Sequence, residues 1–291
     1  MLKNSEIHLR DPFVVPVTEE KRYYLYGTRG PECWTTSATG LDYFTSNDLQ
    51  NWEGPFLAFR PSSDFWSDRN FWAPEVHFYR GRYYMFVTFK AEDIHRGTQI
   101  LAADGLIGPF LPISDGPVTP HDWECLDGTL YIDAEDQPWL VFCHEWVQVG
   151  DGEVCAIRLS EDLTATIGEP QILFRASEAP WTLAIDRKER KGYVTDGPFM
   201  HRLPNGDLIM LWSSFGASGY TVGVTRSQSG SILGPWQHHL EPLYTGDGGH
   251  CMVFRDFDGQ LLLSYHAPNS SPDERPYFRV LEESATSLQI I

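Results

Sequence analysis

The chain has 291 residues, 42% hydrophobic and 14% aromatic, with a formal net charge of −18 at pH 7. That length suits one large β domain or two ordinary ones, and the apolar content excludes disorder as the default. A charge so negative, with no basic stripe, argues against nucleic acid, anionic polymers and anionic membranes as partners, and favours a neutral small molecule or neutral polymer.

The N-terminal stretch "MLKNSEIHLRDPF" has no apolar signal core. No run reaches the roughly 18 apolar residues of a membrane span. The chain as given therefore reads as cytoplasmic, and as secreted or periplasmic if a signal peptide has been trimmed from it. Its five cysteines include no CxxC pair, which disfavours a disulfide framework or a structural zinc site. The mixed-charge run Arg187–Lys191 reads as a solvated loop.

Helical periodicity is scarce, and strand-like runs bounded by turn residues follow one another along the chain. Five hairpins share a layout: "DPFVVPVTEEKRYYLYGT", "APEVHFYRGRYYMFVTF", "DGTLYIDAEDQPWLVFCHEW", "DGPFMHRLPNGDLIMLWSSF" and "GGHCMVFRDFDGQLLLSYHA". Their turns centre near Lys21, Gly81, Asp136, Gly206 and Gly259, at steps of about 60, 55, 70 and 53 residues. Further strands follow each hairpin. A Ser-x-Asp-Leu corner recurs at Ser46 and Ser160, and Gly-Pro-aromatic at Gly54, Gly108 and Gly234. Five units of this size, each with room for about four antiparallel strands, predict an all-β five-bladed β-propeller forming a single domain over residues 1–291. A large β-sandwich is the alternative, but it gives no reason for the hairpin to repeat.

In a propeller the innermost strands all start at one end of the central channel. Asp11, Trp72, Asp127, Asp196 and His250 open the five hairpins and so converge on one mouth. Three carboxylates there, Asp11, Asp127 and Asp196, are expected at the same phase of the repeat. Crowded carboxylates raise at least one pKa, so one can stay protonated as an acid while another stays ionised as a base. That is the machinery of glycoside hydrolysis. Counting back along the second strand of the third hairpin returns Glu145 to the mouth as well. The same count in the other hairpins lands near Gly30, Lys90, Phe215 and Pro268, none of them a carboxylate. Trp34, Trp66 and Trp146 are further candidates for a sugar cleft, with packing between blades the more ordinary role for at least one. Arg10 is placed either to neutralise Asp11 or to form a strand-end salt bridge. Gly27–Gly30 lacks the Lys-Ser/Thr and the following helix of a phosphate loop, and the remaining histidines show no metal-binding spacing.

With these residues in order, the whole chain resembles glycoside hydrolase family 43, the five-bladed propeller enzymes of the arabinofuranosidase and xylosidase group. "LRDPFVV", "FWAPEVHFYRGRYYMFVT", "LDGTLYIDAEDQPWLVF", "TDGPF" and "GGHCMVF…LLLSYHAP" carry the resemblance. It implies that Asp11 is the general base, that Asp127 tunes the pKa of the acid, and that Asp196 takes the acid's place. It further implies Trp72 as a wall of the sugar pocket, Arg275 as a substrate-binding arginine, and His250 as the partner of a water or calcium ion in the channel, with no cofactor required. The family inverts configuration. It usually has Thr-Glu-Gly-Pro where this chain has "TDGP", a side chain one methylene shorter, so Glu145 and Asp196 both stand as candidates for the acid. The expectation is an inverting exo-acting hydrolase releasing terminal α-L-arabinofuranosyl groups from a neutral plant polysaccharide or its oligosaccharides. β-Xylosides, β-galactans and galactofuranosides are nearby alternatives. A binding propeller without catalysis and a retaining levan-type enzyme are competitors.

Overall fold

The structure is a computed structural model that describes residues 1–34, 38–187 and 190–291. It is a five-bladed β-propeller of antiparallel sheets. The blades are consecutive along the chain, and their innermost strands are Leu9–Val17, Arg69–Tyr79, Cys125–Ile132, Asp196–Arg202 and Gly249–Arg255. Each innermost strand pairs through a tight turn with the next strand, so the five hairpins of the sequence are the inner halves of the five blades.

Burial explains the apolar runs. The second strand of a blade lies between two neighbouring blades, so Met85–Phe89, Leu208–Ser214 and Leu261–Ala267 are buried without alternation. Outermost strands such as Thr166–Arg175 are mostly exposed. The core is divided among the seams: one cluster joins the first, second and fifth blades, and others join the second to the third, the third to the fourth, and the fourth to the fifth. Each fully buried aliphatic or Phe side chain there contributes roughly 1.5–3 kcal/mol. The Ser-x-Asp-Leu corners form as read: Asp48 and Asp162 accept local hydrogen bonds, and Leu49 and Leu163 take left-handed backbone angles. The run around Arg187 is not a plain loop, because Ile185–Arg187 pairs with Arg190–Gly192 as a short ribbon. Lys188 and Glu189 lie outside the described residues.

Among the described residues no strand of one blade pairs into the sheet of another. The ring closes between the fifth and first blades by packing and single hydrogen bonds. Tyr23 stacks on Phe257 at 4.0 Å, Ser264 Oγ donates to Pro12 O at 2.8 Å, and Leu9 N donates to Glu274 O at 3.4 Å.

One backbone device repeats in every blade. Near the channel mouth two residues of the innermost strand oppose one residue of its partner: Asp11-Pro12, Ala73-Pro74, Asp127-Gly128, Gly197-Pro198 and His250-Cys251. The first residue of each pair is left-handed, with φ of 54°, 47°, 57°, 51° and 48° respectively. That conformation costs a non-glycine residue about 1–2 kcal/mol, and such strain concentrates where side chains must be aimed.

Candidate active site

The bulges turn side chains into a cleft of about 360 Å³ at the channel mouth. Asp11, Asp127 and His250 come from the left-handed positions, and Arg10, Trp72, Leu126 and Asp196 from the positions just before them. Asp196 is therefore not in phase with the other two carboxylates, as the sequence suggested. It stands one residue earlier, because Gly197-Pro198 makes the bend that Asp11-Pro12 makes in the first blade. It still reaches the same cleft.

Asp11 is held ionised. Burial alone would raise its pKa, but His250, Arg10 and a hydrogen bond from Thr28 bring it below the usual carboxylate value. Thr28 Oγ1 donates to Asp11 Oδ2 at 2.5 Å and itself accepts from Ala73 N at 2.7 Å. The Asp11 backbone N–H donates to Nδ1 of His266 at 3.2 Å. That contact leaves His266 a neutral acceptor, and burial holds its pKa down at about 3.

Asp127 behaves oppositely. Burial, and then the negative charges of Asp196 and Asp11, push it up to about 8 against the pull of His250. Its Oδ2 accepts the Gly197 N–H at 2.9 Å, and its own N–H donates to Thr88 Oγ1 at 2.9 Å. Asp196 is raised by burial and by Asp11, with His250 and a hydrogen bond from Tyr220 opposing. Tyr220 Oη donates to Asp196 Oδ2 at 2.9 Å. His250 lies between Asp11 and Asp127, its Nδ1 3.2 Å and 3.5 Å from their carboxylates, and its backbone N–H donates to Ser213 Oγ at 2.8 Å. Burial disfavours its charge, but the surrounding carboxylates raise its pKa overall.

Glu145 lines the cleft, as the strand count placed it. Burial lifts it to about 7 while Arg96 opposes, and the two side chains are ion-paired. The Arg96 guanidinium also lies 4.6 Å from the centre of the Trp72 ring. Trp72 packs on Trp34 at 4.7 Å, and Arg10 lies 5.1 Å from the centre of Trp34. The wall thus runs Arg10–Trp34–Trp72–Arg96, two tilted indoles between two guanidiniums. Arg10 combines both expected roles: it lines the cleft beside Asp11 and is anchored across the ring closure by Glu274 Oε1 and Asn269 Oδ1, each at 2.7 Å.

One expectation needs correction. Arg275 does not line the cleft. Its guanidinium is spent on the carbonyls of Ser5, Pro272 and Glu274 and on His8. Of the three further tryptophans, Trp34 and Trp146 line the cleft, and Trp66 takes the packing role expected of at least one, against Phe65 and Phe89 with its N–H donated to Gln99. Nδ1 of His250, the expected partner of a water or calcium ion, faces the carboxylates of Asp11 and Asp127, and among the described residues no group of three or more His, Cys, Asp or Glu is arranged to hold a metal directly. Thr28, Arg96, Tyr220 and His266 were not singled out from the sequence. Thr28 and His266 lie two residues before the strand return points at Gly30 and Pro268, so the turn count that locates Glu145 leads to them as well.

A buried set of unlike carboxylates at a propeller mouth, walled by indole rings, defines a glycoside hydrolase. The chain belongs to glycosyl hydrolases family 43, whose profile matches residues 5–283. It is similar to the crystal structure of an endo-arabinase from Bacteroides thetaiotaomicron VPI-5482, with 44% identity, a TM-score of 0.91 and 98% of each chain covered. An α-L-arabinofuranosidase from Lactobacillus brevis shares the fold at 17% identity and a TM-score of 0.75, over 98% of this chain and 93% of that one. An extracellular endo-alpha-(1->5)-L-arabinanase 1 from Bacillus subtilis (strain 168) is 25% identical over 148 residues, 47% of this chain and 44% of that enzyme. The chain thus matches less than half the length of that curated relative.

Proposed function

We propose that this chain is an inverting hydrolase of α-L-arabinofuranosyl linkages, with Asp11 as general base, Asp196 as general acid and Asp127 as the neighbour that keeps the acid protonated. The observation that carries the reading is the opposite electrostatics of carboxylates in one cleft: Asp11 is lowered by its cationic and hydroxyl partners, while Asp127 and Asp196 are raised. Asp11 takes a proton from water as that water attacks the anomeric carbon. Asp196 gives its proton to the departing oxygen, and the glycosidic bond breaks in one displacement with inversion. Glu145 is the second candidate for the acid: burial lifts it to about 7, but its carboxyl is already engaged by Arg96.

The arabinofuranosyl assignment is supported by the names of the relatives. Removal of a terminal sugar is supported by the ring of lining residues, in which every blade takes part, from Trp34 and Trp72 through Trp146, Ile185 and Tyr220 to Asn269. That arrangement suits a chain end. Internal cleavage is the second reading, favoured by the 44% identical endo-arabinase. Product sizes released from linear arabinan separate the two: monosaccharide from the outset supports the first reading, and a ladder of oligosaccharides the second.

The acid assignment is tested with Asp196→Asn and Glu145→Gln, each assayed on an aryl arabinofuranoside with a good leaving group and on an arabino-oligosaccharide. Asp196→Asn should spare the aryl substrate and slow the oligosaccharide by about 10²–10⁴-fold. The same contrast in Glu145→Gln instead would move the acid there. Proton NMR of the first-formed anomer checks inversion, and a retained product would sink the mechanism.

A further inference from the structure

Asp196 reaches the cleft from a position that its fellow carboxylates do not use, and Tyr220 is built around it. Tyr220 belongs to the strand Gly219–Ser227, third in its blade, is almost fully buried, and borders the cleft. Its backbone N–H donates to Asp247 Oδ1 at 3.0 Å. Its ring lies 5.4 Å from Phe215 and is stacked on the neutral imidazole of His266 at 5.6 Å. Space for it comes from the fifth blade. Gly249 holds the register place that carries Arg10, Trp72, Leu126 and Asp196 in the other blades, and a Cβ there would stand 2.6 Å from Tyr220 Cε1. The blade thus lacks a side chain at its mouth where the tyrosine from its neighbour stands.

The phenol distinguishes the two oxygens of Asp196. Oδ2 accepts the Tyr220 hydroxyl at 2.9 Å, and among the described residues Oδ1 accepts no hydrogen bond. A short carboxylic side chain left to rotate would present its proton to the leaving oxygen only part of the time, and misplacement by about 1 Å can cost on the order of a hundredfold. We propose that Tyr220 is a positioning residue for the acid: its phenol fixes Oδ2 of Asp196, so that Oδ1 alone carries the proton toward the departing oxygen. This inference rests on the reading of Asp196 as general acid. In the step, the Oδ1–H bond breaks as the glycosidic oxygen takes the proton and the electron pair of the broken C–O bond. The phenol keeps its own proton and continues to donate to Oδ2. The charged groups facing this pair are Asp11, Asp127, Arg10 and His250, with Glu145 also facing Asp196.

The experiment compares the full chain with Tyr220→Phe, on the same aryl arabinofuranoside and arabino-oligosaccharide, across pH. Removing the phenol withdraws a donor that favours the carboxylate form, so the pKa of Asp196 rises. The basic limb of kcat/KM should then move up by roughly half a unit to one unit. The oligosaccharide kcat should fall by about 10–100-fold with KM little changed, and the aryl substrate should lose less than about threefold. Fluorinated tyrosine at 220, a more acidic donor, should move the basic limb the other way while keeping the kcat. An equal loss on both substrates with an unmoved basic limb makes Tyr220 merely structural and overturns the proposal, as does wild-type behaviour of Tyr220→Phe. If Asp196→Asn shows no leaving-group contrast, the acid reading fails and this inference with it. If Asp196→Asn shows the contrast and Tyr220→Phe shows neither effect, only the role of Tyr220 falls.

Discussion

Asp11 and Asp127 occupy the same bulge position in the first and third blades, with φ of 54° and 57° and a buried carboxyl in each case. Their protonation nonetheless diverges. Asp11 has a threonine hydroxyl and the His250 imidazole against its carboxyl, with Arg10 adjacent. Asp127 shares one imidazole, accepts one backbone N–H, and faces two other acids. The backbone aims the side chain, and the neighbouring strands decide its charge. Each blade repeats the first function, and none repeats the second.

The largest way to break the comparison is Asp11→Asn, which removes the ionised member. Activity on both aryl and oligosaccharide substrates should drop by at least about a thousandfold, since water activation is needed for either. Steady-state kinetics with both substrates checks this, and survival of the aryl activity would strip Asp11 of the role of base. Asp127→Asn should cost less, about a hundredfold on the oligosaccharide. In the unmodified chain the basic limb of kcat/KM should lie above the ordinary carboxylate range, where the raised pair loses its last proton and activity falls as pH rises. Asn at 127 leaves Asp196 no partner with which to share that last proton, so the variant's basic limb should move toward lower pH. A basic limb that stays in place would unlink Asp127 from the acid.

Thr28→Val sharpens the comparison most gently, by making Asp11 a little more like Asp127. The lost hydrogen bond should raise the Asp11 pKa, moving the acid limb up by about half a unit to one unit, and should cost roughly 1 kcal/mol in a denaturant titration.

How much of this could be read in advance follows the same division. The strand-opening residues of the blades were legible because a hairpin announces its own turn, and counting from the turn locates the mouth. Asp11, Trp72, Asp127, Asp196, Glu145 and His250 all line or flank the cleft for that reason. The one-residue offset of Asp196 was visible in the prolines, since Pro12, Pro74 and Pro198 share a register place and the residue before each is the left-handed one. Residues that set charge were harder. Tyr220 comes from a third strand and Arg96 from the edge of one, and no turn count reaches them. Arg275 was misplaced because a loop arginine follows its nearest carbonyls, and those belong to the segment around Ser5 and Pro272.

The ring closure has a consequence for how the molecule comes apart. No strand crosses from the fifth blade to the first among the described residues, and the bonds that bridge them include Arg10 to Glu274, Arg10 to Asn269 and Asp11 to His266. Asp11 and its neighbour Arg10 are thus part of the clasp of the bracelet. A sugar seated against them would grip both sides of that clasp. Amide hydrogens of Leu9–Val17 and Leu261–Ala267 should then slow in exchange before those of any other seam, so that binding substrate and holding the circle shut become one equilibrium.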